Sequence, residues 1–193
     1  MPWEKQFDKD EVLDKAMQAF WMRGYEATSM QNLVDCTGIN RGSLYATYGD
    51  KRALFMASLR LYDDKMRRRM LSELEERYAP LEAIQHLFLA FVESASPKGG
   101  NKGCFLTNTA LELAQHDAEI GAVVARSQEE IEDFFVRMIR KGKTSGNISA
   151  SVKPAETARG LLASLIGLIV LTRSRPEKSL LKSIADEALH RLT

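Results

Sequence analysis

The sequence is short of the residues that build special sites. Two cysteines, Cys36 and Cys104, stand in 193 residues. They are too few and too far apart for a disulfide framework or a metal-ligand spacing. The three histidines, His86, His116 and His190, are scattered, and no carboxylate-histidine repeat accompanies them, so no metal and no other cofactor is expected. A charge excess is also lacking: 27 Lys and Arg face 26 Asp and Glu, a net of +1. That excludes nucleic-acid binding by bulk charge and confines any such surface to a local patch. Apolar runs are short. The longest uncharged one, about residues 160–172, falls below the roughly 20 residues that span a bilayer. Acids recur through residues 1–20, which argues against a secretory signal. The expectation is a soluble, cytoplasmic protein with no membrane partner. Only five prolines occur, which favours long helices.

What is present is helical periodicity. At 45% hydrophobic the chain can bury the core of one large or two small domains, and nothing in it reads as a strand. Val12, Leu13, Ala16, Met17, Ala19 and Phe20 follow helical spacing, and Gly24 supplies a C-terminal stop. Thr28-Ser29-Met30-Gln31 reads as a capping box opening a second helix to about residue 37. Gly38 turns the chain, and Asn40 caps a third helix ending near residue 48. A long fourth helix is expected over residues 51–77, a fifth from Pro80, and a loop at residues 96–103, rich in Gly, Lys and Pro. Helices over about 104–115, 117–143, 154–173 and from Pro176 complete an all-α fold of about nine helices.

The second and third helices make a helix-turn-helix, in which one helix braces the backbone and the next enters the major groove. Leu33, Val34 and Cys36 suit the buried side of helix two, and Ile39 and Leu44 the core side beyond the turn. Arg41, Gly42, Ser43, Ala46 and Thr47 are left facing outward. Arginine pairs with guanine, Ser and Thr meet bases or phosphates, and Ala meets a thymine methyl. Gly42 would admit DNA close to the backbone, and Tyr45 and Tyr48 could place hydroxyls on phosphates, or Tyr48 packs under helix four instead. Lys51 sits where a helix N-terminus attracts phosphate. Periodicity alone fits a plain helical hairpin with a solvated polar face equally well.

Residues 7–55 resemble the N-terminal domain of TetR-family transcriptional regulators. The resemblance is carried by Phe20 and Gly24-Tyr25, Thr28-Ser29-Met30, Gly38-Ile39-Asn40-Arg41-Gly42-Ser43-Leu44-Tyr45, Tyr48-Gly49-Asp50-Lys51 and Leu54-Phe55. It implies an all-helical two-fold dimer whose third helices enter successive major grooves of a palindromic operator. By that resemblance Thr28 and Asn40 hold phosphates, Arg41, Ser43 and Thr47 read or flank bases, and Tyr45 and Lys51 anchor the backbone. Three positions depart from the pattern: Tyr48 replaces a phenylalanine, Thr37 a small alanine, and Leu33-Val34 a frequent Ile-Ala. The expected division is a DNA-binding domain at 1–52 and an effector-binding and dimerisation domain at 53–193. Residues 1–52 hold seven bases and eight acids, a net of −1. Few phosphate contacts per subunit are therefore expected, with a shallow salt dependence at about 0.9 per neutralised phosphate.

Beyond helix four the residues themselves carry the reading. Phe88, Phe91, Phe105, Phe134 and Phe135, with Asn108, Thr109, Glu112, His116 and Arg137, could line a small-molecule cavity, or the phenylalanines are ordinary core. Cys104 follows Lys102-Gly103 at a helix start, where a thiol pKa falls. The segment 103–112 also resembles a Gly-Cys-Leu/Phe pattern of one TetR subgroup, whose members include electrophile or oxidant sensors and binders of small metabolites. The alternative is a partly buried structural cysteine. Cys36 reads as core. The run Arg67-Arg68-Arg69 reads as a solvated face. The helix from Pro154 is apolar nearly all round, with Leu161, Leu165, Leu168 and Ile169 and small residues such as Ser164, so it must be buried on most sides. With Leu181, Ile184 and Leu189 of the last helix it is expected, by resemblance, to pair with its copy in a homodimer; the alternative is a central core helix. The function expected is a repressor released from palindromic double-stranded operator DNA by an unknown small-molecule or electrophile effector acting through helix four. Activation is the variant of that reading. A helical-bundle enzyme or carrier, and an interaction protein that has lost its DNA role, are the alternatives.

Overall fold

The computed structural model describes residues 7–96, 98 and 100–193. The expected loop residues Pro97 and Gly99 lie outside the described residues. Among those described, every regular element is helical and the chain divides into two compact units, residues 1–66 and 67–193. The expected boundary at 52/53 falls inside the first unit, because the next turns of helix are part of its core.

The first unit begins with α1 (Lys9–Arg23), capped by the Asp8 carboxylate, which accepts from the Asp10 and Glu11 amides. Asp10 and Glu11 in the first turn complement the helix dipole. The short helices α2 (Met30–Thr37) and α3 (Arg41–Tyr48) follow, then α4 (Lys51–Tyr62). The core is where their apolar stripes meet. Val12, Ala16, Met17 and Phe20 from α1 are buried with Leu33, Leu44, Leu54, Phe55 and Leu59. Phe20 and Phe55 meet edge to face at 5.1 Å, and Trp21 meets Tyr62 at 4.8 Å. Full burial of one such phenylalanine contributes about 2–3 kcal/mol. This packing rigidly supports α3.

The long fourth helix expected over residues 51–77 is present in three pieces: α4, a π-helical segment Asp63–Arg68, and α5 (Arg69–Arg77). The unit boundary runs through the π segment. Counted as one, these pieces leave nine helices among the described residues.

The second unit holds α5, α6 (Pro80–Ser94), α7 (Phe105–Glu112), α8 (Ala118–Thr144), α9 (Pro154–Ser174) and α10 (Lys178–His190). Pro80 and Pro154 open their helices, where a missing N–H costs nothing. α9 packs against α8, α10 and α6. By length and composition alone α9 is apolar enough to cross a membrane. Its Leu161, Leu165, Leu168 and Ile169 face instead lies in the core of this unit. Gly142 on α8 lets the returning chain close: a Cβ there would lie 2.6 Å from Ile148 Cδ1.

The expected solvated face at Arg67-Arg68-Arg69 holds for Arg68 and Arg69, which are exposed, and is corrected for Arg67. The Arg67 side chain is 3% exposed and pairs with Glu130 of α8, as does Arg68, while Arg69 pairs with Glu73. A carboxylate contributed from far along the chain was invisible to local patterning. Cys36 is likewise exposed rather than core. In α2 it is Leu33 and Thr37, one turn apart, that are buried.

Candidate nucleic-acid interface

The local sequence sets the length and pitch of α2 and α3 through their caps. The capping box falls one residue later than the sequence suggested. Ser29 Oγ accepts from the Asn32 amide at 3.1 Å, and Asn32 Oδ1 accepts from the Ser29 amide at 3.0 Å. Thr28 is fully buried, and its hydroxyl donates to the Gly24 carbonyl at 2.6 Å. A hydroxyl so committed does not reach a phosphate, so the expected role of Thr28 is corrected. Ser29, which sequence reasoning passed over, is the exposed residue at the start of α2.

Gly38 makes the turn. At φ 76° and ψ 8° it is left-handed, and its N–H donates to the Val34 carbonyl at 3.0 Å, a conformation costing a residue with a Cβ about 1–2 kcal/mol. Asn40 then caps α3, its Oδ1 accepting from the Ser43 amide at 2.8 Å. That oxygen therefore serves the helix first. A Cβ on Gly42 would lie 3.3 Å from it, so Gly42 leaves room for the cap.

With these caps in place, Leu44 points inward at 1% exposure, while Arg41, Gly42, Tyr45 and Ala46 are exposed and Ser43 and Thr47 half-buried. The exposed and half-buried positions of α3 thus carry a guanidinium, two hydroxyls, a phenol and a bare backbone position, groups of the kind that meet base edges and phosphates. Tyr48 is used differently from expectation. It is half-buried, and its hydroxyl donates to the Lys9 carbonyl at 2.9 Å, tying the end of α3 to the start of α1. Burial, then the Asp10 and Asp8 carboxylates, push its phenol above the ordinary 10.0, so it stays a neutral donor. Asp50 caps α4 by accepting from the Ala53 amide at 2.7 Å. Lys51 follows, its Nζ 4.2 Å from the centroid of the Tyr25 ring.

In the second unit the expected effector residues separate. Phe88, Phe105 and Phe134 are buried, with Phe134 and Phe88 at 5.7 and 6.2 Å from the Phe135 ring. Cys104 is 6% exposed and is the N-cap residue of α7 rather than part of its first turn. Asn108, half-buried, donates from Nδ2 to the Lys102 carbonyl at 2.8 Å, and Asn101 donates to the Thr172 carbonyl at 3.2 Å, so the segment before α7 is latched to α9. Phe91 is half-buried, and His116 is exposed in the turn after α7, on the surface.

The dimerisation residues also redistribute. Leu161, Leu165, Leu168, Ile169 and Leu181 are at most 3% exposed within a single chain, so a partner cannot be what buries them. Ser164 is half-buried, with its hydroxyl donated to the Gly160 carbonyl at 2.9 Å, and Ile184 and Leu189 are half-buried. The side of α9 left open carries Ala163 and Gly167, exposed, with Leu162, Ile166 and Val170 half-buried. Sequence alone could not tell which stripe of an all-round apolar helix its own chain would cover.

Two family models match. Residues 12–57 fit "Bacterial regulatory proteins, tetR family", and residues 80–186 fit "Tetracyclin repressor-like, C-terminal domain". The chain is 31% identical over 186 residues to the HTH-type transcriptional regulator YezE of Bacillus subtilis, covering 96% of each chain. It is 29% identical to the HTH-type transcriptional repressor ComR of Escherichia coli, over 96% of this chain and 89% of that one. Among solved structures it resembles the TetR family regulator CifR, a cysteine mutant complexed with 26 base pairs of double-strand operator DNA, at a TM-score of 0.84, 26% identity and 98% coverage of both chains. These matches run through both units, and they agree with the helix-turn-helix face built by α2 and α3. The chain belongs to the TetR family of bacterial regulatory proteins and is a DNA-binding transcriptional regulator, not an enzyme.

Proposed function

We propose that the protein is a homodimeric repressor that sits on a palindromic operator and leaves it when a small molecule binds the second unit. The observation that carries this is the capped α3 with Arg41, Gly42, Tyr45 and Ala46 exposed on one face above a buried Leu44. In this reading Arg41, Ser43 and Thr47 contact bases, Tyr45 and Lys51 anchor phosphates, and Ser29 replaces Thr28 at the α2 end. Asn40 and Tyr48 act by holding α3 in place. The N-terminal region that binds DNA runs to about residue 52 in sequence, and the first turns of α4 serve as its base. Two copies are required because a single α3 of eight residues reads one half-site, and half-sites one helical turn apart must be matched by a two-fold dimer. The open stripe of α9, Leu162, Ala163, Ile166, Gly167 and Val170, with Ile184 and Leu189 of α10, is the surface that pairs. The repressor works in the cytoplasm, with the DNA it regulates.

The effector acts only through different affinities for the DNA-binding and released states. Burial of Cys104 at a helix start favours a non-covalent ligand near Phe105 and Asn108 over direct attack on the thiol. Genomic footprinting of the bound protein, followed by anisotropy on the recovered duplex, tests the whole reading. It is upheld by a palindromic footprint in front of a gene that a released ligand relates to. A protein that protects no specific sequence refutes it. A Cys104→Ser variant released by every oxidant and electrophile as wild type is would rule out the covalent effector alone.

A further inference from the structure

Lys51 does not project freely from the start of α4. Its ammonium lies 4.2 Å from the centroid of the Tyr25 ring, inside the roughly 6 Å over which a cation is held by an aromatic quadrupole. The ring is itself fixed. Phe20 stacks beside it at 6.2 Å and 21°, and Phe55 meets it edge to face at 5.0 Å and 74°. Both of those rings are 0% exposed. Tyr25 also opens the turn into α2, where its carbonyl accepts from the Thr28 amide at 3.2 Å. A residue of the α1–α2 turn thereby sets where the first side chain of α4 carries its charge.

We infer that Tyr25 is a positioning residue for DNA binding: its ring holds the Lys51 ammonium in place for a backbone phosphate. This rests on the reading of Lys51 as a phosphate anchor. A lysine stem is flexible, and ordering it on binding opposes affinity. Ordering it on an aromatic face in the free protein removes much of that cost. The cation keeps its full charge on the ring, because the quadrupole, unlike a carboxylate, does not neutralise it. The arrangement suits a unit with a net charge of −1 over residues 1–52, where each cation must count.

The test is a double-mutant cycle on the duplex that the protein footprints, read as affinity and as salt slope. Lys51→Met is expected to weaken binding and flatten the slope by about 0.9 per subunit. Tyr25→Leu is expected to weaken binding roughly two- to fivefold per subunit while leaving the slope unchanged, and to have no further effect in the Lys51→Met background. Tyr25→Phe, which keeps the ring, is expected to bind as wild type. A Tyr25→Leu loss that persists in the Lys51→Met background means a merely structural tyrosine and overturns the inference. A Lys51→Met protein with unchanged affinity and slope overturns the phosphate reading itself. A second measurement needs no variant: in the wild-type protein free of DNA, the Lys51 ε-proton resonances are expected to be displaced upfield by the ring current. Resonances at ordinary lysine positions would overturn the inference even if Tyr25→Leu failed to fold.

Discussion

Replacing Glu130 by Gln should destabilise the second unit at neutral pH and have almost no effect in acid. Glu130 on α8 is gripped by Arg67 and by Arg68, whose Nη2 and Nε lie 2.8 and 2.9 Å from its oxygens, with Arg126 at 3.3 Å. The Arg68 hydrogen bonds foremost, against the opposing effect of burial and helped by Arg67, hold its carboxyl down from the ordinary 4.5 to about 2. At about 1.36 kcal/mol per pH unit this is about 3 kcal/mol. The Glu130 side chain is 30% exposed and that of Arg68 43%, so screening reduces the figure to about 1–2 kcal/mol. Arg67, at 3% exposure, would lose the Glu130 charge from its buried surroundings, which adds to the loss. A total of about 2–3 kcal/mol lowers Tm by roughly 4–12 °C for a protein of this size. Because the folded pKa is depressed, this stability is complete above pH 4.5 and is lost as pH falls toward about 2. Thermal melts of wild type and Glu130→Gln from pH 7 to pH 2 should show the gap closing over that window. A gap equally large at both ends, or none at pH 7, would refute the reasoning.

Three further outcomes follow from the packing. Leu165→Asp places a charge at a 1% exposed core position and should unfold the second unit, whereas Ile166→Asp, on the open stripe, should give folded monomers with weak operator binding; light scattering and circular dichroism separate the two. Gly38→Ala should cost about 1–2 kcal/mol, because its φ of 76° is left-handed, as chemical denaturation will measure. Ser29→Ala should cost about 1 kcal/mol through loss of the α2 cap, and Thr28→Ser, which keeps the inward hydroxyl, should leave DNA affinity nearly unchanged in a titration.

Much of the fold was legible because its signals are local. Gly24, Gly38 and Asn40 ended or began helices where expected, since a left-handed turn and a side-chain cap need only the residues beside them. The turn-α3 segment was readable for the same reason. Part of what escaped depends on partners far along the chain. The burial of Arg67 goes with its pairing to Glu130, more than sixty positions on. The hydroxyl of Thr28 turns inward because the Gly24 carbonyl lies beneath it, and the adjacent Ser29 was an equally good cap by composition. Helix α9 was correctly seen as apolar all round, but its periodicity could not say that Leu161, Leu165 and Leu168 face their own chain and Ala163 and Gly167 face out.

The most direct test of the central claim is quantitative binding of the footprinted duplex by wild type and by the paired variant Arg41→Ala, Tyr45→Ala, across a salt series. Both side chains are exposed on α3, so the variant should fold as wild type does. The expected result is a dimer that binds a palindrome with half-sites about 10 base pairs apart, a loss of at least about tenfold in the variant, in line with about 1–3 kcal/mol for a base-reading arginine, and a shallow salt slope. A variant that still binds the same duplex with unchanged affinity, or wild-type binding that ignores sequence, would contradict it.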